Sequence, residues 1–246
     1  MSDRHAVWTF APAILVTLFF IIVAVLLPKE LDGDLALLAE EIFIFAVLVL
    51  AVVGWKKFAH AGWSRKGGYA WLWLAGPLWL AVLSPIGLAI PNLVADPGRV
   101  AIWSVTALLV GLNEETIFRG FLLSGLRRWM GPLGAALISS AAFGLLHSLN
   151  ALSGADPIFL IGQMVVAFGT GMVLAAVTLR AGSVWPAVFL HFAGDAVGLT
   201  ALGGFENAIQ AAEAAPSMII FGLITSVWGA VWIWVLARRE RLAPAL

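Results

Sequence analysis

Residues 100–126 read VAIWSVTALLVGLNEETIFRGFLLSGL, a stretch in which Glu114, Glu115 and Arg119 are the only charged side chains. At about 1.5 Å per residue, a helix of this length crosses the roughly 30 Å hydrocarbon layer of a bilayer with residues to spare. No period-two alternation runs through it, which argues for a helix and against a barrel strand. The stretch therefore predicts a membrane helix that carries three charges into the apolar layer.

The same reading finds spans near 6–27, 35–55, 69–91, 133–149, 157–179, 184–202 and 216–237, about eight in all. The first lacks a small-residue cleavage site and is expected to stay as a membrane helix. Composition agrees: 62% of the residues are apolar before the 25 glycines are counted, and only 11% are charged. Soluble domains carry about 25% charge, so a soluble enzyme is excluded. Fourteen basic and fourteen acidic residues give a formal net charge of zero, so no net field attracts nucleic acid. There are no cysteines, which removes disulfide, thiolate and Cys-based metal chemistry. The expected fold is an all-α, polytopic membrane helical bundle, with residues 1–246 forming a single transmembrane domain.

The basic residues give an orientation. Arg4, then Lys56, Lys57, Arg65 and Lys66, then Arg127 and Arg128, then Arg180, then Arg238, Arg239 and Arg241 fall at alternate connections. The intervening connections hold Lys29 and Arg99 with Glu30, Asp32, Asp34, Asp96, Asp156, Glu206 and Glu213. Short cytoplasmic loops collect Lys and Arg, so both termini are expected to be cytoplasmic. Arg outnumbers Lys ten to four in an Ala- and Gly-rich chain. That balance suggests a GC-rich bacterial genome and hence the bacterial inner membrane.

Within the spans stand Glu114, Glu115 and Arg119 on the fourth, His147 on the fifth, and His191 and Asp195 on the seventh. Four charged groups oppose insertion by roughly 10 kcal/mol unless they are paired or neutralised. Counted from the basic ends, Glu114 and Asp195 lie about 17 Å deep, His147 about 21 Å, and His191 and Arg119 about 10 Å. Three helices thus bring polar groups to one slab near the midplane. Residues four apart share a helix face, which joins Glu115 to Arg119, Phe143 to His147 and His191 to Asp195. Glu114 is turned about 100° from Glu115, so one carboxylate pairs with Arg119 and the other faces elsewhere. We assign the free role to Glu114. A buried carboxylate facing an imidazole can share a water with it and act as general base.

EETIFRG at 114–120, FGLLH at 143–147 and HFAGD at 191–195 resemble the EExxxR, FxxxH and HxxxN/D motifs of the CPBP family. That family comprises type II CAAX prenyl proteases and bacterial relatives, some linked to bacteriocin self-immunity. SVWPA at 183–187 is similar too, and the motif-bearing core spans about 100–202. The resemblance implies an eight-helix glutamic intramembrane endopeptidase without a cofactor. Glu114 and His147 would activate water, His191 and Asp195 would stabilise the oxyanion, and Glu115, Arg119 and Phe143 would support the site. Its implied partners are a membrane-associated peptide or protein substrate and the lipid bilayer. An oxyanion needs hydrogen-bond donors, which an ionised Asp195 lacks. Either Asp195 keeps its proton and donates, or it pairs with His191 and leaves the imidazolium as donor. The neutral form is preferred, because an anion beside Glu114 would be repelled and desolvated together.

Other readings compete. Glu114, His147 and His191 match the two-His, one-carboxylate zinc set, without an HExxH signature. Buried His and carboxylates also build proton-coupled transporters, and a non-catalytic immunity protein is a further class. Among the other residues, Glu40 and Glu41 are expected at the interface. Gly169, Gly194 and Gly198 are expected to permit close helix approach. Trp8, Trp55, Trp71, Trp129 and Trp185 are expected as interfacial anchors, and His5 and His60 as exposed.

The orientation has a direct test, because single cysteines can be introduced into a chain that has none. A membrane-impermeant thiol reagent applied from outside should label Cys at Asp32, Asp156 or Glu206. It should spare Cys at Lys66, Arg127 or Arg239; the opposite pattern overturns the orientation.

Overall fold

Asp96 and Pro97 show how this chain starts its helices. The Asp96 carboxylate accepts a hydrogen bond from the Arg99 backbone N–H at 2.9 Å, and Pro97 occupies the first turn, where its missing N–H costs nothing. Asp156 and Pro157 repeat the device, with Asp156 accepting from the Ile158 and Phe159 amides. The computed structural model describes residues 3–26, 32–54, 56–63 and 71–242. It places α1 at Asp3–Leu26, α2 at Gly33–Gly54, α3 at Gly76–Leu83, α4 at Ile86–Ala95 and α5 at Pro97–Glu115. After α5 the helix continues through a π-helical segment, Thr116–Leu123, to Leu126. Then come α6 at Pro132–Leu146, a 3₁₀ stretch at His147–Ser153, α7 at Pro157–Ala181, α8 at Trp185–Leu202 and α9 at Ala215–Leu242.

The chain is an all-α polytopic membrane bundle, and no strand occurs among the described residues. Seven helical stretches among them are long and apolar enough to cross a membrane, and α1 adds a further helix of 24 residues. The third span differs from its sequence reading: it runs over Gly76–Ala95 and is broken between α3 and α4 at Pro85, with Pro91 inside α4. The Asp96 cap fixes the boundary that follows, which moves the start of α5 to Pro97. Arg4, His5, Trp8, Lys29, Glu30, Trp55, His60, Arg65, Lys66, Trp71 and Arg241 lie outside the described residues or side chains. Trp185 is exposed at the start of α8, as an anchor should be, whereas Trp129 stacks on Phe10 at 5.6 Å.

Small residues set the helix spacing. Along the α7–α9 seam, Gly162 faces the Ala215 backbone, Gly169 lies against the Gly222 carbonyl, and Gly229 meets Met172. Lipid is as apolar as leucine, so the seam is held by van der Waals contact between closely approaching backbones. Gly111 on α5 brings the helix against the Val188 and Phe192 backbone of α8. Gly144 on α6 does the same against the Met164 carbonyl of α7.

The two ends of the bundle differ in charge. Residues 59–62, 119–128 and 178–184 gather at one end around Arg127 and Arg128. At the other, Arg99 bridges Asp32 at 2.6 Å and Asp34 at 2.8 Å. Asp34 also accepts from Trp103 Nε1 at 2.7 Å and from the Phe205 amide at 2.8 Å. This clamp ties α2, α5 and the segment after α8 together. Its Arg99 hydrogen bond holds the Asp32 carboxyl below the usual range. The Asp32 contribution is therefore present at neutral pH and is lost when acidification protonates the carboxylate.

The seam predicts an asymmetry between glycines. Gly169→Ala should destabilise the protein by about 1–3 kcal/mol, because the new Cβ collides with backbone. Gly54→Ala, where nothing lies within 4 Å of an added Cβ, should not lower the thermal unfolding temperature in detergent. Equal effects would contradict the packing described.

Candidate active site

The π-helical segment follows Glu115 directly and carries Arg119. Wider turns leave backbone carbonyls short of partners, and such turns recur at functional sites. Here Ser139 Oγ donates to the Phe118 carbonyl at 2.7 Å, and Trp63 Nε1 donates to Thr116 Oγ1 at 2.9 Å. Neighbouring elements thus stabilise the segment that presents Arg119 to the interior.

Arg119 Nη1 donates to Glu115 Oε1 at 2.9 Å, with both side chains fully buried. His191 Nδ1 donates to the same oxygen, also at 2.9 Å. Glu115 therefore joins α5 to α8. It is the partner of Arg119, as the rotation argument required. Glu114 faces the other side of His191: its Oε2 lies 3.5 Å from His191 Nε2 and has no hydrogen-bond partner among the described residues. Asp195 Oδ2 lies 3.2 Å from the same nitrogen, one helical turn along α8. Both nitrogens of His191 thus face carboxyl oxygens. The close approach at Gly111 is what lets this imidazole reach both adjacent glutamates.

His147 ends α6. Its Nδ1 donates to the Phe143 carbonyl at 3.0 Å, leaving Nε2 as the available ring nitrogen of the neutral form. Phe143 is buried and does more than fill space. The Arg119 guanidinium carbon sits 4.3 Å from its ring centroid, and the rings of His147 and His191 meet it edge-on at 5.0 and 5.8 Å. A face that attracts cations covers the side of Arg119 that no carboxylate reaches.

These groups border a cavity of about 360 Å³, lined by Glu114, His147, His191 and Asp195 and by apolar side chains that include Leu146, Phe159 and Leu199. It extends from the midplane toward the acidic end, where Phe205 and Ile209 line it. A separate, more polar space lies beyond Arg119 at the basic end. The Arg119–Glu115 pair therefore stands between two cavities. Among the described residues, no group of three or more His, Asp or Glu side chains has the arrangement to hold a metal ion.

Three sequence expectations change. Gly194 and Gly198 do not serve helix contact: nothing lies within 4 Å of an added Cβ at either, and both line the cavity. Their missing side chains keep it open, whereas Gly169 has the packing role expected of it. Glu41 is not interfacial either. It is 2% exposed, lines the cavity, and accepts through Oε2 a 2.7 Å hydrogen bond from Asn113 Nδ2. Glu40, expected at the interface with it, has a buried Oε1 without a hydrogen-bond partner. Asn113, equally buried, escaped notice beside the charged pair that follows it. The signal for Glu41 was periodicity, because Asp34, Glu41, Ile44, Leu48 and Val52 form the buried stripe of α2.

Residues 96–197, which contain every motif residue of the site, match the family model described as type II CAAX prenyl endopeptidase Rce1-like. A comparison with curated proteins gave no match. The segment that builds this site is thus similar to the type II CAAX prenyl endopeptidase family.

Proposed function

We propose that this chain is a glutamic intramembrane peptidase of the bacterial inner membrane, hydrolysing a peptide bond of a membrane-associated polypeptide. The observation that carries the reading is the split of roles between adjacent glutamates. Glu115 is occupied by Arg119 and His191, while Glu114 has an oxygen without a hydrogen bond at the wall of a cavity. A carboxylate left free in this way is available to take a proton from water. His147, on the same cavity with its Nε2 available, would hold that water. His191 and Asp195 would face the oxygen of the tetrahedral intermediate, where donors are effective because water is largely excluded. Glu115 then orients His191 without touching substrate, and Arg119 holds Glu115. The apolar lining suits a hydrophobic segment entering from the bilayer. No metal takes part in this reading.

Glu114→Gln keeps the side-chain shape and removes the base. In proteoliposomes it should lower cleavage of an internally quenched S-farnesyl-cysteine peptide by about 100-fold or more. Its thermal unfolding should stay close to wild type. Wild-type activity should survive exhaustive dialysis against a chelator. Undiminished turnover by Glu114→Gln would remove Glu114 from the reaction, and loss on dialysis with recovery on adding zinc would establish a metal mechanism.

Asp195 is read as a hydrogen-bond donor to the oxyanion, a role an Asn amide can fill, so Asp195→Asn should turn over the same peptide at near the wild-type rate. A large loss at every pH would contradict a donor role, and a loss confined to higher pH would mark Asp195 as a charged partner of His191.

A further inference from the structure

Glu41 is the acid of the cavity that comes from outside residues 96–197. It stands on α2, with Asn113 and Glu114 facing it from α5 and His191 and Asp195 from α8, and His147 lines the same cavity from the end of α6; Glu40 is its neighbour on α2. The cations here are committed elsewhere: Arg119 bonds Glu115, and His191 is flanked by Glu115, Glu114 and Asp195. Glu41 is held instead by a neutral amide, since Asn113 Nδ2 donates to its backbone carbonyl at 3.0 Å and to Oε2 at 2.7 Å. A buried carboxyl without a cation, among other carboxyls in an apolar layer, keeps its proton. With Oε2 accepting from Asn113, that proton belongs on Oε1, and Glu41 lines the same cavity as Glu114.

We propose that Glu41 is the general acid of the reaction, the group that protonates the departing amine. The inference rests on the peptidase reading above and deepens it. Water adds through its oxygen to the scissile carbonyl carbon while one of its protons passes to Glu114. The C–N bond then breaks as Glu41 gives its proton to the nitrogen, which leaves as a neutral amine. The proton on Glu114 returns through cavity water to Glu41, and both carboxyls end as they began. Division of labour between two acids follows from their surroundings: Glu114 faces an imidazole, and Glu41 faces an amide.

The test uses leaving-group chemistry. An amide nitrogen must be protonated to leave, whereas an ester oxygen departs far more readily without help. Full-length wild type, Glu114→Gln and Glu41→Gln in proteoliposomes are assayed on two internally quenched S-farnesyl-cysteine peptides. The peptides are identical except that the scissile amide of one is an ester. Glu41→Gln should lower the amide rate by about 100-fold or more and the ester rate much less, so the ester-to-amide ratio rises steeply. A ratio does not depend on how much of the preparation is folded. Should Glu41→Gln yield no folded protein, Glu41→Asp, which withdraws the carboxyl by one methylene, must raise the same ratio. An unchanged ratio, whether through equal losses or none, overturns the proposal and leaves Glu41 as a packing partner of Asn113. If wild type cleaves neither peptide, or Glu114→Gln cleaves the amide as fast as wild type, the peptidase reading itself fails and the role of Glu41 falls with it.

Discussion

One carboxylate oxygen, Glu115 Oε1, receives both the Arg119 guanidinium and the His191 imidazole, each at 2.9 Å and away from water. The rest of the site depends on it. Removing one member of such a buried pair strands the other charge in the apolar layer, at a cost of about 3–5 kcal/mol. The pair fixes the rotation of α5, and α5 fixes the direction in which Glu114 points. Because His191 belongs to α8, the same bond sets the spacing between two membrane helices that share no loop. Phe143 completes the arrangement by covering Arg119 and bringing His147 to the same aromatic ring.

Around this centre the bundle is asymmetric along the membrane normal. Toward the acidic end a largely apolar cavity reaches Phe205 and Ile209, near the Arg99–Asp34 clamp. Toward the basic end the space is polar and bordered by Arg127 and Arg128. A hydrophobic segment is matched to the first space and not to the second. Glycine serves both purposes of such a design: where it meets backbone, as at Gly111 and Gly169, it draws helices together. Where it meets nothing, as at Gly194 and Gly198, it leaves the cavity open.

Much of this is legible in the sequence because the bilayer is a severe solvent. A charged side chain in residues 100–126 has few tolerable surroundings, so Glu114, Glu115 and Arg119 by themselves imply a buried polar cluster. Helical rotation then separates the two glutamates, and the separation is borne out. Gly194 and Gly198 depart from expectation because small residues at membrane-helix spacing look the same whether they face a neighbour or a void. Glu41 departs from it because a short distance from a span end carried more weight than its place on the buried stripe of α2. Depth along a helix can be counted from sequence, but the direction a side chain takes depends on which helix packs there.

The central claim is that water, activated beside Glu114, attacks the peptide carbonyl directly. A single turnover with excess enzyme in ¹⁸O-labelled water, followed by mass spectrometry of product and protein, tests it most closely. The account predicts one ¹⁸O in the new C-terminal carboxyl, no covalent adduct and no label in Glu114. A trapped acyl-enzyme, or ¹⁸O recovered in the Glu114 carboxyl, would contradict it.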